Sequence, residues 1–254
     1  MKQPLLECCV DSLESALAAE AGGADRLELC GSLMIGGVTP SMSLLELVRE
    51  RTNIRVNVLL RPRFGDFCYT EGEMEQLRRD VIQCRERGAD GVVVGILCPD
   101  GTLDTQRMAV LREAAGEMKM TLHRAFDLCA DPFAALEQCE QLGVDTILTS
   151  GQKNTALEGS ALLAQLVERA ARTGKVDILV GSGVKSQNLP QLIRTTRATS
   201  YHMSGKITLQ SAMTFRREGV NMGLPLLSEY DIWRTDQEEV ARAAAIVHHI
   251  QLDA

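Results

Sequence analysis

Two runs, Leu5-Leu6-Glu7-Cys8-Cys9-Val10 and Gly23-Ala24-Asp25-Arg26-Leu27-Glu28-Leu29-Cys30, decide how the chain folds. In each, apolar side chains alternate with polar or sulfur-bearing ones, the period-2 pattern of a strand with two unlike faces. Asp11 and Glu14, between the runs, have capping-box spacing, so the chain reads strand, helix, strand.

Outward from this unit the pattern repeats. Further runs suited to strands lie near Ile54 to Arg61, Gly91 to Leu97, Met118 to Arg124, Asp145 to Ser150, Val176 to Gly181 and Ser200 to Ser204. Between them, spacings such as Met74, Leu77, Val81 and Cys84 put apolar residues on one helix face. Thr70 with Glu73 repeats the capping-box spacing, Asp131-Pro132 places Pro at a first helical position, and Gly88, Gly143 and Gly174 stand where helices close. Gly23-Ala24-Asp25, Gly88-Ala89-Asp90 and Gly143-Val144-Asp145 precede the second, fourth and sixth strands, a weak internal repeat. Eight alternations without a linker predict an α/β fold, a closed (β/α)₈ TIM-type barrel forming one domain over residues 1–254. Residues 206–234 lack helical spacing and are expected to be a long loop after strand eight, before a last helix near Asp236 to His249.

Composition narrows the function. Hydrophobic residues at 45% and charged residues at 24% fit a globular protein. A net charge of −7 argues against nucleic acid as the main partner, and no apolar run approaches the length of a membrane helix. The apolar segment after Met1-Lys2-Gln3-Pro4 is too short for a signal sequence. Eight cysteines without a C-x-x-C pair read as reduced thiols, so the expected compartment is the cytoplasm.

Strand parity selects the residues that face the barrel axis. With Leu6, Cys8 and Val10 against the helices, Glu7 and Cys9 turn inward; with Leu27 and Leu29 outward, so do Glu28 and Cys30. The same alternation sends Asn57, Arg61, Thr121, His123, His202 and Ser204 inward, leaves strand six ambiguous, and makes Gly181 and Gly183 open space on strand seven. A structural interior would carry Val, Ile and Leu there, because buried charges are costly unless paired, so a recurring polar interior predicts a functional site.

Individual motifs admit two readings each. Cys9 and Cys30 stand on neighbouring strands and could hold a soft ion such as Cu(I), or be small buried hydrophobes. Arg61-Pro62-Arg63-Phe64-Gly65-Asp66-Phe67 could grip a carboxylate or phosphate, or form a solvated loop with an internal Arg–Asp pair. In His123-Arg124-Ala125-Phe126-Asp127, a histidine has a carboxylate four residues on, an acid/base arrangement or an inert core histidine. Gly181-Ser182-Gly183 could present amides to an anion, or be one more glycine-rich turn.

Taken together, Glu7-Cys8-Cys9-Val10-Asp11, Gly23 to Cys30, Gly36-Gly37-Val38-Thr39-Pro40-Ser41, Arg61-Pro62-Arg63, His123 to Asp127 and Leu148-Thr149-Ser150-Gly151 resemble the copper homeostasis protein CutC family over essentially the whole chain. The resemblance implies a TIM-type barrel, cytoplasmic location, a homodimer or homotetramer, copper handling, and Cu(I) ligands corresponding to Cys9 and Cys30. Phe64 stands where the family often has Gly, and Ile35 where an acidic residue is common. Two functions follow as expectations. One is Cu(I) binding without turnover. The other is an enzyme acting on a small anionic metabolite, with Glu7, Glu28, Arg61, His123, Asp127 and His202 as catalytic candidates and Gly181, Ser182 and Gly183 as the anion site.

Overall fold

The computed structural model describes residues 3–220, 222 and 228–250. Eight parallel strands, β1 (Leu5–Val10), β2 (Arg26–Leu29), β3 (Arg55–Leu59), β4 (Gly91–Val94), β5 (Lys119–Leu122), β6 (Thr146–Thr149), β7 (Asp177–Val180) and β8 (Ser200–Met203), close in that order into a barrel. Around it run α1 (Leu13–Ala21), α2 (Met42–Arg51), α3 (Glu71–Glu86), α4 (Thr105–Ala115), α5 (Pro132–Leu142), α6 (Ser160–Thr173), α7 (Leu189–Thr196) and α8 (Gln237–His248). Every expected strand contains the observed one.

The local signals act as the sequence suggests, with one exception. Thr70 and Glu73 form a reciprocal capping box on α3, whose Met74, Leu77, Val81 and Cys84 are buried; Pro132 opens α5, and Gly143 closes it in a left-handed conformation. Asp11, however, does not cap α1. Its carboxylate accepts from the Leu33 N–H, and Ser12 Oγ takes the cap by accepting from the Ser15 N–H.

The three repeated aspartates share one job. Asp25, Asp90 and Asp145 each accept, through the carboxylate, from a backbone N–H in the strand before: Leu6 at 2.7 Å, Val56 at 2.8 Å and Met120 at 2.9 Å. Each also donates its own N–H to the carbonyl of that same residue. These clips tie β1, β3 and β5 near their starts, at the end of a barrel where stability rather than chemistry is built.

The segment expected as a long loop holds a two-stranded antiparallel ribbon instead. Its strands β9 (Lys206–Gln210) and β10 (Asp231–Thr235) pair Lys206 with Thr235 and Gln210 with Asp231. The Lys206 ammonium lies 3.2 Å from the Trp233 ring centroid, a cation–π contact fastening the ribbon at its base. Residues 221 and 223–227 of that segment lie outside the described residues.

Candidate functional site

Parity delivers the polar interior. Leu6, Cys8 and Val10 of β1 are fully buried in the apolar layer. Cys9 instead lines a cavity of about 880 Å³ at the carboxyl ends of the strands, together with Glu28, Arg61, His123 and His202. Leu148 also lines it, which settles the orientation of β6.

Below the cavity a charge relay crosses three strands. Register sets Glu7 beside Arg26 on β2 and beside His202 on β8. The Arg26 Nε–H donates to Glu7 Oε2 at 2.5 Å, and Glu7 Oε1 bonds His202 Nδ1 at 2.7 Å. Burial alone would raise the Glu7 pKa, but Arg26 and His202 outweigh it and hold the carboxyl near about 2. Burial disfavours the His202 cation, yet Cys9, Glu28 and Glu7 together push its pKa well above the usual imidazole value.

Above the relay, the sulfur of Cys9, a carboxylate oxygen of Glu28 and a ring nitrogen of His202 lie within 4.8 Å of one another. Register places Cys9 opposite Glu28, and the Glu28 carboxylate reaches to 3.9 Å from His202 Nε2. Burial, reinforced by repulsion from Glu7, lifts the Glu28 pKa to about 7 despite the attraction of His202, and its Oε1 has no hydrogen-bond partner among the described residues. Thiol, imidazole and carboxylate together suit a thiophilic or borderline metal ion, and an unsatisfied buried oxygen is the kind of atom such an ion would complete. With His202 Nδ1 bound to a carboxylate, Nε2 is the nitrogen left for a metal, the usual support for a metal-binding histidine.

Cys30 is not a member of this three-residue group. It is fully buried against Leu59 and Val93, its thiol points at the Val10 carbonyl at 3.5 Å, and it is not among the cavity-lining residues. Burial, with Cys9 and Glu28 nearby, keeps that thiol protonated.

The loop after β3 separates its two arginines. Arg63 makes the internal pair, with Asp66 at 2.9 Å and Glu73 at 2.6 Å. Arg61 instead lines the cavity, its guanidinium tethered to the Gly37 and Gly65 carbonyls and stacked on Phe67.

His123 and Asp127 do not form an acid/base pair. Asp127 is consumed by Arg124, Thr149 and the Ser150 and Gln152 amides, so it buttresses the loop after β6. His123 Nδ1 accepts the Ala125 N–H at 3.1 Å, which puts the proton of the neutral ring on Nε2, and Nε2 has no partner among the described residues. Burial and the nearby Arg61 guanidinium lower the His123 pKa to about 3, so the ring stays uncharged.

In the turn after β7, Ser182 and Gly183 line the cavity while Gly181 does not. A Cβ on Gly181 would lie 2.5 Å from Leu148 Cδ1, so this glycine serves close packing. Gly95 has a sharper constraint. A Cβ there would lie 2.5 Å from His123 Cε1 and 2.6 Å from Nδ1. Gly95→Ala is therefore expected to displace the imidazole, destabilise the fold by about 1–3 kcal/mol and shift the His123 ring proton resonance. An unmoved resonance, checked by NMR alongside urea denaturation, contradicts this.

Sequence reasoning missed Arg26, because a strand's first residue reads as a solvated charge, and missed Phe67 and Lys206, which come from loop and ribbon. Lys206 directly after the last barrel strand was the one available signal.

Comparison with known proteins follows the same lines. The model of the CutC family matches residues 4–207. The human copper homeostasis protein cutC homolog is 42% identical over 247 residues, covering 97% of this chain and 90% of its own. A CutC family protein of Parabacteroides distasonis is 43% identical over 238 residues, covering 93% of this chain and 97% of its own. The CutC crystal structure from Streptococcus agalactiae superposes with a TM-score of 0.75 at 29% identity, covering 79% of this chain and 98% of that one. Phosphoribosylanthranilate isomerase from Thermotoga maritima, at TM-score 0.58 and 12% identity over 97% of this chain and 100% of that one, shares the fold alone.

Proposed function

Because the chain belongs to the CutC family, we propose that it takes part in copper homeostasis by binding Cu(I) in the barrel mouth, with Cys9 as its sulfur ligand. The observation that carries this reading is the convergence of Cys9, Glu28 and His202 within 4.8 Å. Cu(I) accepts few ligands and favours thiolate and imidazole, which singles out Cys9 and His202 Nε2, with Glu28 the neighbouring donor. Glu7 and Arg26 orient and polarise the imidazole from below.

This moves the second ligand from Cys30, the partner expected from the sequence, to His202. The support is that Cys30 is enclosed and held to a carbonyl, while His202 lines the cavity beside Cys9. Cys9 is required by both pairings.

Titration of the reduced protein with Cu(I) against a competing chelator tests the assignment. Cys9→Ser and His202→Ala are expected to lose the competition with the chelator, Glu7→Gln to weaken binding about 10–100-fold, and Cys30→Ser to leave it near wild type. Unchanged affinity in Cys9→Ser sinks the proposal, and a large loss in Cys30→Ser returns the second ligand to Cys30.

The same reading places the protein in the cytoplasm, supported by eight cysteines that are all free. It also includes assembly as a homodimer or homotetramer. Exposed Ile207, Leu209, Met213 and Phe215 on and beside the ribbon support a self-association surface.

A further inference from the structure

The cavity is far larger than one ion needs, and much of its lining comes from residues the copper reading does not use. In a chain of net charge −7, that lining carries a local excess of positive charge. Arg124 is paired with Asp127, and Arg242 with Asp236 and Glu239. Arg61, Lys185 and Lys206 also line the cavity, and none of them makes an ion pair with a carboxylate among the described residues.

Two sets of unused donors accompany this charge. Ser182 and Gly183 are both left-handed, with φ of 76° and 70°. The Ser182 hydroxyl donates to the Asn154 carbonyl, and the Ser182 carbonyl accepts from the Ala156 N–H. The successive amide N–H groups of Ser182, Gly183 and Val184 have no protein partner among the described residues. The second set is the Nε–H of Arg61 and the Nε2–H of His123, both buried and both unsatisfied; His123 is only 4% exposed. A buried donor left without an acceptor costs about 1–3 kcal/mol, so two on residues lining one cavity point to a ligand that supplies the acceptors.

We propose that the cavity is a binding site for a small phosphorylated organic acid spanning the barrel mouth, with the phosphate on the Ser182 to Val184 amides and Lys185, and the carboxylate at Arg61 and His123. Successive amides around a left-handed turn form an anion-binding concavity, and Lys185 adds a mobile charge at its rim. The other end needs pure donors. Arg61 has no acceptor atom, and His123, with Nδ1 occupied, offers only a fixed, uncharged N–H. The Phe67 ring packs on both, 4.9 Å from the Arg61 guanidinium and 4.8 Å centroid to centroid from His123. The acid end of the ligand reaches the two donors as that ring moves aside. The site shares the cavity with Cys9 but none of the proposed copper ligands.

Titration of the ¹⁵N-labelled full chain tests it. Inorganic phosphate is expected to shift the amide resonances of Ser182, Gly183 and Val184 saturably, and Lys185→Ala, an exposed position, to weaken that binding about tenfold. 2-Phosphoglycolate and 6-phosphogluconate bracket the distance between phosphate and carboxylate. At least one is expected to bind about tenfold tighter than phosphate, and Arg61→Lys to abolish that advantage while leaving phosphate affinity unchanged. Cys9→Ser is expected to leave both titrations unaltered, which separates this site from the copper proposal. Absence of saturable shifts at these amides, unchanged phosphate affinity in Lys185→Ala, or no gain from either acid phosphate overturns the assignment.

Discussion

Replacing Glu7 by Ala is expected to destabilise the barrel by about 3–5 kcal/mol at neutral pH, the cost of leaving buried charges without their counterion. Glu7 is fully buried and bonds both the Arg26 guanidinium and the His202 imidazole. Removing it leaves the Arg26 and His202 side chains, each only 11% exposed, without their shared carboxylate. The pH dependence checks the cause. The folded-state pKa lies near about 2 against 4.5 for the free carboxyl, so the stabilisation is fully present above 4.5 and is lost as pH falls through 2. Urea denaturation from pH 7 down to pH 3 is expected to show the gap between wild type and Glu7→Ala narrowing. A gap below about 1 kcal/mol at pH 7 rules out the relay as a structural unit.

The opposite sign is expected one strand away. Glu28→Gln is expected to stabilise the protein at pH 8 by about 2–3 kcal/mol and to change little at pH 4 to 5. In the unfolded chain Glu28 ionises near 4.5, whereas the folded protein keeps its proton to about 7. The carboxyl thus favours the folded state below 4.5, and that advantage disappears as pH rises through 7. Glutamine never carries the charge and so avoids the loss. A residue whose replacement stabilises the fold is held there for another purpose, and such a result would support the proposed donor set of Glu28 with Cys9 and His202. Equal destabilisation of Glu28→Gln at both pH values removes the argument.

These two residues show how far local pattern reaches. Glu7 and Glu28 occupy equivalent places in similar Glu-x-Cys runs, and alternation alone turns both toward the axis. Their opposite titration follows from which neighbours the barrel brings to them: both are buried, but Glu7 is bonded by Arg26 and His202, while Glu28 lies within the repulsion of the Glu7 carboxylate. The His123 to Asp127 run misled for a related reason. Spacing along the chain suggested a pair, but the chain leaves β5 as a short 3-10 turn that delivers Asp127 to the loop after β6. Asp11 and Ser12 compete for the same cap, and a contact to Leu33 decides between them.

The eight strands, the barrel, the inward set and the starts of most helices are fixed by alternation, apolar spacing and capping chemistry, which act over a few residues and are therefore written in order along the chain. The meeting of Cys9 with Glu28 and His202, the enclosure of Cys30 against Leu59 and Val93, the fold of the ribbon and the gathering of Arg61, His123 and Ser182 around one cavity depend on register between strands up to about two hundred positions apart. No local rule carries that information. It arises only when the sheet closes and β8 lies beside β1.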